Sequence, residues 1–219
     1  MFIDKLIKIK SEINNIERIN NRVIDDVEIM IVTKKQDKKT VSSLVKNGYR
    51  YFGENRLDEL IEKKSIFNNC RFAYLAPIQS NKLVKIMKHS DEIHSISRTK
   101  EIKLMSESIW DGDYFIQVNV DKEAQKSGIM IEEAMILIDF AYNKFRLPSG
   151  IMCIRALNNM TIPQESFNLM SLLNNKIKAK YPEYVGKLSM GMSNDYSEAI
   201  KYGSTVVRLG SKIFGDKNV

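Results

Sequence analysis

The amino-acid sequence predicts an α/β protein, a single (β/α)8 TIM barrel with an extra helix at its N-terminus. Short apolar segments alternate with helical segments eight times, which is typical of a parallel sheet. Eight such repeats, rather than five or six, favour a closed barrel over an open, doubly wound sheet. Small-residue loops follow the last two apolar segments, at the position where barrels often hold a phosphate.

Spacing of apolar residues predicts the elements of the first half of the chain. Residues 2–19, within an N-terminal segment 1–24, place apolar side chains at helical spacing between charges, which indicates an amphipathic helix packed on the barrel. Thr40 is expected to cap the next helix and Gly48 to end it. Strands are predicted at 28–34, 50–53, 72–75 and 92–96, with helices around 57–61, over 80–89 and from 99.

The second half of the chain repeats the same alternation. Apolar runs predict strands at 114–120, 149–155, 187–190 and 205–209. Helices are expected over 131–145, 163–180 and 197–202, and Pro163 suits the first turn of its helix. The short connections mark no domain boundary, so the prediction is one domain over residues 1–219.

Composition narrows the class of protein. The formal net charge is +7, but the lysines and arginines are scattered, which disfavours nucleic acid as a partner and suits a small anionic ligand. No apolar run reaches the roughly 18 residues of a membrane span, and the N-terminus is not a signal peptide. Cys70 and Cys153 lack metal-ligand spacing and are expected to be buried free thiols. We therefore expect a cytoplasmic protein without a metal site.

Lys34 is the first candidate for chemistry, because it is placed at the end of the first predicted strand, at the rim where barrel active sites lie. Desolvation by the apolar strand would favour a neutral amine, which suits Schiff-base formation. The alternative is that Lys34 only begins a basic loop that continues with Lys35. Gly53 and Asn55 end the second strand and could line a pocket, whereas Glu54 could simply begin a helix.

Arg208 lies inside the last predicted strand, where a buried charge needs a partner. It could pair with an acid in the barrel floor or face a ligand at the mouth, and Arg155 raises the same question. His89 and His94 are expected to be structural or exposed, and Trp110 to cover the core.

The loops after the last two strands carry the stronger signal. Ser193 offers a hydroxyl and a backbone N–H, Gly210 permits close approach, and Ser211 adds a second hydroxyl. These groups could hold a phosphate, although plain turns remain the alternative.

Seven segments, taken in order and spacing, resemble one family over nearly the whole chain. They are VTKK at 32–35, RYFGENRLDEL at 50–60, PIQSNK at 77–82, IHSISR at 93–98, VNVDKEAQKSGI at 118–129, LSMGMSNDYSEAI at 188–200 and GSTVVRLGSKIFG at 203–215. The chain resembles the pyridoxal phosphate homeostasis proteins, single-domain relatives of the alanine racemase barrel. The resemblance implies a fold-type III barrel that binds pyridoxal 5′-phosphate (PLP) and lacks the C-terminal β domain of the racemases.

The resemblance also implies roles for individual residues. Lys34 would hold PLP as a Schiff base, with Lys35 as the neighbouring alternative. Arg208 would face the pyridine nitrogen and oppose its protonation, which makes the ring a poorer electron sink. The remaining residues implied at the cofactor are Asn55 at the rim, Met192 lining the pocket, and Ser193, Gly210 and Ser211 at the phosphate. Ala73 and Ala76 depart from the family, which often has His and Gly there.

Two functions of different classes follow. The first is a monomeric protein that binds PLP and contributes to vitamin B6 homeostasis, without robust catalysis of its own. PLP-dependent apoenzymes could be partners that receive the cofactor. The second is a PLP-dependent amino-acid racemase, which needs a proton donor or acceptor on each face of the substrate. Racemases take the second base, a tyrosine, from their C-terminal domain, so the end at Val219 favours the first function. A lysine-dependent aldolase is a weaker third possibility.

Overall fold

Eight parallel strands close into a barrel in the computed structural model, which describes residues 2–123, 127–155 and 162–215. The barrel strands are β1 (Glu28–Val32), β2 (Tyr51–Glu54), β3 (Arg71–Tyr74), β4 (Glu92–Ile96), β5 (Asp113–Asn119), β7 (Gly150–Cys153), β8 (Lys187–Ser189) and β9 (Val206–Leu209). Each pairs in parallel with the next, and β9 pairs with β1, which completes the ring. A two-residue strand, β6 (Ile129–Met130), pairs with the end of β5 outside the ring. The predicted fold class is confirmed.

Helices surround the strands. In chain order they are α1 (Phe2–Ile19), α2 (Lys38–Lys46), α3 (Leu57–Ile66), α4 (Leu83–His89), α5 (Thr99–Ser106), α6 (Ala134–Lys144), α7 (Pro163–Lys180), α8 (Tyr196–Lys201) and α9 (Ser211–Phe214). The predicted N-terminal helix is confirmed: α1 buries Leu6, Ile9 and Ile13 and packs on α8 and α9. Within the described ranges, no helix is long and apolar enough to cross a membrane.

Helix ends follow local chemistry. The Asp37 side chain accepts a hydrogen bond from the Thr40 backbone N–H at 2.8 Å, so Asp37 is the N-cap of α2 and the expectation of a Thr40 cap is wrong. Gly48 follows α2 with φ of +89°, a conformation that glycine adopts without strain. Pro163 is the first residue of α7, as predicted.

Strand ends differ from the prediction where tertiary contacts intervene. β1 ends at Val32, before Lys34, because the carbonyl of Thr33 accepts hydrogen bonds from Lys63 Nζ and from the Gln36 N–H. These bonds remove that carbonyl from the β-ladder. The strand predicted to reach Arg155 ends at Cys153. Residues 124–126 of the VNVDKEAQKSGI segment lie outside the described residues.

The core has two parts, because alternate residues of each strand face opposite sides of the barrel wall. The larger part lies between strands and helices and includes Phe52, Phe72 and Tyr114. A small apolar cluster fills the barrel interior: Met30, Tyr51, Ala73, Leu75 and Val206. Ala73 is fully buried there, Ala76 packs partly buried on the outer core, and Trp110 covers that core as expected.

Both cysteines are buried free thiols, as predicted. Cys153 lies on β7, and burial raises the pKa of its thiol to about 12. A thiol that stays protonated at neutral pH is a poor nucleophile. Cys153 therefore contributes packing and a backbone carbonyl to the site described next.

Candidate functional site

A cavity of about 500 Å³ opens at the carboxyl ends of the barrel strands. All seven residues predicted to form a site line it: Lys34, Asn55, Met192, Ser193, Arg208, Gly210 and Ser211. Lys35, the alternative to Lys34, lines it as well. The volume lies in the range of small-molecule sites, so the structure brings the predicted residues together at one place.

Lys34 lies in the loop after β1 and its side chain is exposed. The expectation that the apolar strand desolvates its amine is therefore wrong for the chain alone. The backbone of this loop is nevertheless held firmly. The Lys35 N–H donates to Glu59 Oε2 at 2.8 Å, and Thr33 Oγ1 donates to Glu54 Oε1 at 2.5 Å.

Lys63 ties these contacts together from α3. Its ammonium donates to the Thr33 carbonyl (2.6 Å), to Glu54 Oε1 (2.7 Å) and to Glu59 Oε2 (3.0 Å). Lys63 is only 2% exposed, so its charge has been taken out of water and depends on these partners. We call Thr33, Glu54, Glu59 and Lys63 the buttress of the Lys34 loop.

Glu54 is the acid at the centre of the buttress. It is the last residue of β2 and fully buried, so the interpretation of Glu54 as a helix start is wrong. Burial raises the pKa of Glu54, although Lys63 and Thr33 act in the opposite direction. No motif in the sequence indicated this role, because Glu54 and Lys63 meet only once α3 has packed on β2.

The loops after β8 and β9 meet through Ser193. Its hydroxyl oxygen accepts hydrogen bonds from the backbone N–H groups of Lys212 (3.0 Å) and Gly210 (3.4 Å). Two backbone donors from the loop after β9 thus converge on one oxygen of the loop after β8, at the cavity wall. An anionic oxygen could accept from the same donors, which fits the predicted phosphate cradle.

Gly191 gives the first of these loops its shape. Its φ is +92°, and a Cβ atom at this position would lie 2.7 Å from Ala199 Cβ and 2.9 Å from Tyr196 Cα, both in α8. The following residue is also fixed, because the Met192 N–H donates to Asp195 Oδ1 at 2.7 Å. The loop therefore packs directly against α8.

Arg208 projects from β9 into the barrel and is 4% exposed. Its Nη1 donates to the carbonyl (2.6 Å) and the hydroxyl (2.7 Å) of Ser189, and its Nη2 donates to the Cys153 carbonyl (2.7 Å). Burial lowers the pKa of Arg208. A guanidinium has five N–H donors. The Nε–H and one Nη2–H make no hydrogen bond with the described residues, and Arg208 lines the cavity.

Asn55 and Asp195 are two further polar residues of the cavity wall. The Oδ1 atom of Asn55 is buried without a hydrogen-bond partner among the described residues, which leaves an acceptor for a ligand. Arg155 pairs with Asp195 at 3.6 Å, with both side chains nearly buried. An arginine in a barrel strand is expected either to pair with an acid or to face a ligand. Arg155 pairs with an acid, whereas Arg208 contacts oxygens of Ser189 and Cys153 and faces the cavity.

Comparison with known proteins identifies the family of this chain. The model of the alanine racemase N-terminal domain matches residues 7–218. A pyridoxal phosphate homeostasis protein of Vibrio cholerae is 31% identical, over 96% of this chain and 94% of the relative. The chain belongs to the pyridoxal phosphate homeostasis protein family. A member from Haemophilus influenzae is 32% identical, over 96% of this chain and 93% of its own length.

Solved structures of other proteins have the same fold as this chain. PipY of Synechococcus elongatus PCC 7942, in a structure with PLP bound, superposes with a TM-score of 0.82 at 22% identity. The match covers 98% of this chain and all of that one. The resemblance stated from the sequence and the barrel that it implies are confirmed.

Proposed function

We propose that this chain binds pyridoxal 5′-phosphate and contributes to PLP homeostasis in the cytoplasm, without robust catalysis of its own. The observation that carries the proposal is the convergence of an amine, a set of phosphate donors and a guanidinium on one cavity of about 500 Å³. An aldehyde, a phosphate and a ring nitrogen are the three groups of PLP that such residues would recognise. The names of the relatives and the PLP-bound PipY structure support the same ligand.

The residues present fit the cofactor. Lys34 would hold the aldehyde of the cofactor through its amine, which is the chemistry of a Schiff-base lysine. Ser193, Gly210 and Ser211 would hold the phosphate, because backbone N–H groups of the loop after β9 already converge on the Ser193 oxygen. Asn55 and Met192 would complete the polar and apolar walls.

Arg208 favours holding the cofactor over catalysis with it. When bound, PLP supplies an electrophilic aldehyde conjugated to a pyridine ring that can withdraw electrons. The Nε–H and Nη2–H donors of Arg208 would face the ring nitrogen as a permanent cation, which opposes protonation of that nitrogen. The ring then withdraws electrons less strongly than it would beside a carboxylate.

Amino-acid racemisation is the second candidate, because the matching family model is that of the alanine racemase N-terminal domain. Besides Lys34, the titratable side chains among the described lining residues are Lys35, Asp195 and Arg208. Asp195 already accepts from the Met192 N–H and pairs with Arg155. The Asp195 carboxylate is thus already engaged by other residues, which favours the homeostasis proposal.

Spectroscopy of the purified chain tests the proposal. We expect added PLP to give an absorption band near the visible edge. Borohydride reduction should remove this band and attach the cofactor irreversibly to Lys34, which peptide mapping would identify. Lys34→Ala should lose the band and keep weak binding through the phosphate loops, whereas the control Lys35→Ala should keep it. A chain that gains no band would overturn PLP binding, and turnover of alanine or serine enantiomers would favour the racemase.

A further inference from the structure

A hydrogen-bonded chain leads from Arg208 down the barrel interior. Arg208 Nη1 lies 2.7 Å from Ser189 Oγ, Ser189 Oγ lies 3.0 Å from His94 Nδ1, and His94 Nε2 lies 2.8 Å from Glu92 Oε2. Ser189 and His94 are completely buried and Glu92 is 2% exposed. Ser189 lies on β8, and His94 and Glu92 lie on β4, three strands away around the ring. We call Arg208, Ser189, His94 and Glu92 the axial chain.

The donor and acceptor at each step of the axial chain can be assigned. Burial lowers the pKa of His94, so the ring is neutral and has one N–H. The Glu92 carboxylate only accepts, which puts the imidazole proton on Nε2 and leaves Nδ1 as an acceptor. The guanidinium of Arg208 only donates, so the Ser189 oxygen accepts from it and the Ser189 hydroxyl proton points to His94 Nδ1. Each residue of the axial chain therefore donates a hydrogen bond to the next, from Arg208 to Glu92.

The lower end of the axial chain is anchored. Burial alone would raise the pKa of Glu92, but hydrogen bonds from His94 and Tyr51 and the charge of Arg71 outweigh it and lower that pKa. Arg71 Nε lies 3.3 Å from Glu92 Oε1, and its guanidinium stacks on the Tyr51 ring at 3.6 Å. Arg71 also pairs with Glu28. Glu92 is thus a fixed carboxylate at the base of the chain.

We propose that Ser189, His94 and Glu92 are positioning residues that orient the Arg208 guanidinium so that its Nε–H and second Nη2–H face the cavity. The axial chain places no carboxylate against Arg208. A carboxylate there would compete with a ligand for the Nε–H and Nη2–H donors. Instead, Glu92 polarises the chain through His94 and makes the Ser189 oxygen a better acceptor. The ligand chemistry that suits this arrangement is an aromatic ring nitrogen, and that part rests on the proposed function.

The competing explanation is that His94 merely fills the core. Its ring stacks on Phe115 with centroids 3.9 Å apart, and packing alone would keep it buried. Packing does not specify a tautomer or a dependence of Arg208 on a serine hydroxyl. These two properties separate the explanations.

The first measurement uses the chain without cofactor. Side-chain ¹⁵N NMR should show His94 with the proton on Nε2, and ordered, slowly exchanging guanidinium N–H resonances for Arg208. Ser189→Ala should speed exchange of those guanidinium protons about tenfold, because one hydrogen bond and the link to His94 are lost. His94 protonated on Nδ1, or unchanged Arg208 resonances in Ser189→Ala, would overturn the proposal.

A matched control is available on β4. Ser95 is also buried, but its hydroxyl has no hydrogen-bond partner among the described residues. Ser95→Ala therefore removes the same atom from a buried position without touching the axial chain, and Arg208 exchange should stay within about twofold of the unmodified chain. A tenfold effect in this control would assign the response to packing and overturn the proposal.

The second measurement adds PLP. Ser189→Ala should weaken PLP binding about threefold to tenfold and shift the absorption maximum of the bound cofactor, whereas Ser95→Ala should do neither. Glu92→Gln, which keeps the shape and removes the charge, should shift the maximum in the same direction. If the unmodified chain binds no PLP, the proposed function fails while the NMR result still decides the axial chain. If Ser189→Ala and Ser95→Ala bind PLP identically, the positioning role is overturned.

Discussion

Lys63 shows how strongly one buried cation can depend on its partners. Removing its ammonium leaves Glu54 fully buried without its countercharge. We expect Lys63→Met to lower the free energy of unfolding at neutral pH by about 3–5 kcal/mol, measured by urea denaturation. The control is Lys38→Ala, which breaks an exposed pair with Glu62 and should cost less than about 1 kcal/mol. Equal losses in the two variants would contradict the buttress.

Glu54 should also give the stability a pH dependence of known sign. Its pKa is raised in the folded chain, so the folded state holds the proton more tightly than the unfolded state. The resulting stability is complete below the ordinary pKa of a glutamate and is lost as the pH rises through the raised value. We therefore expect the difference in unfolding free energy, unmodified chain minus Glu54→Gln, to fall from pH 4 toward neutrality. A difference that rises with pH would mean that the charge of Lys63 outweighs burial and lowers the pKa of Glu54.

At the scale of elements, the loop after β8 depends on Gly191. Gly191→Ala should strain the backbone and force α8 away, because the new methyl would meet Ala199 and Tyr196. The control Gly48→Ala has a similar φ but meets no atom within 4 Å, and it should cost only about 1 kcal/mol. We expect Gly191→Ala to lose more stability and to weaken PLP binding, measured by denaturation and by titration. Equal effects would show that the contact with α8 does not matter.

Most elements could be predicted from the sequence because their signals are local. The alternation of apolar strands and amphipathic helices fixed the number of barrel strands, and Pro163 marked the start of α7. The end of β1 could not be predicted, because it depends on Lys63 reaching the Thr33 carbonyl from another element. Asp37 rather than Thr40 caps α2 for a different, local reason: both residue types are good caps, and backbone geometry decides between them.

The candidate site divides in the same way. Lys34, Ser193, Gly210 and Ser211 follow strands directly, so their convergence at the rim follows from the barrel itself. Their roles toward PLP stay predictions that the experiments above test. Glu54 and His94 escaped prediction as parts of polar networks, because Lys63 and Ser189, with which they pair, lie on other elements. Only the packed barrel brings His94 to Ser189.

At the scale of the whole molecule, we expect a monomer in solution. The exposed large apolar side chains of the described residues lie on several different helices, among them Ile7 on α1, Val84 on α4, Ile136 on α6 and Leu172 on α7. Stable dimers usually bury a contiguous apolar patch. Sedimentation equilibrium should give a mass near the 25.3 kDa of one chain. A mass of twice that value would contradict the expectation.

The pairing of β9 with β1 has a consequence for how the protein matures. Met30 on β1 lies opposite Arg208 on β9, so Lys34 and the phosphate loops come from the first and last strands of the ring. During synthesis the amine emerges from the ribosome early, but its partners exist only after the final strand has docked. A ligand that needs both would bind only the closed ring and stabilise it. Binding of the cofactor would then mark the point at which a newly made chain has finished folding.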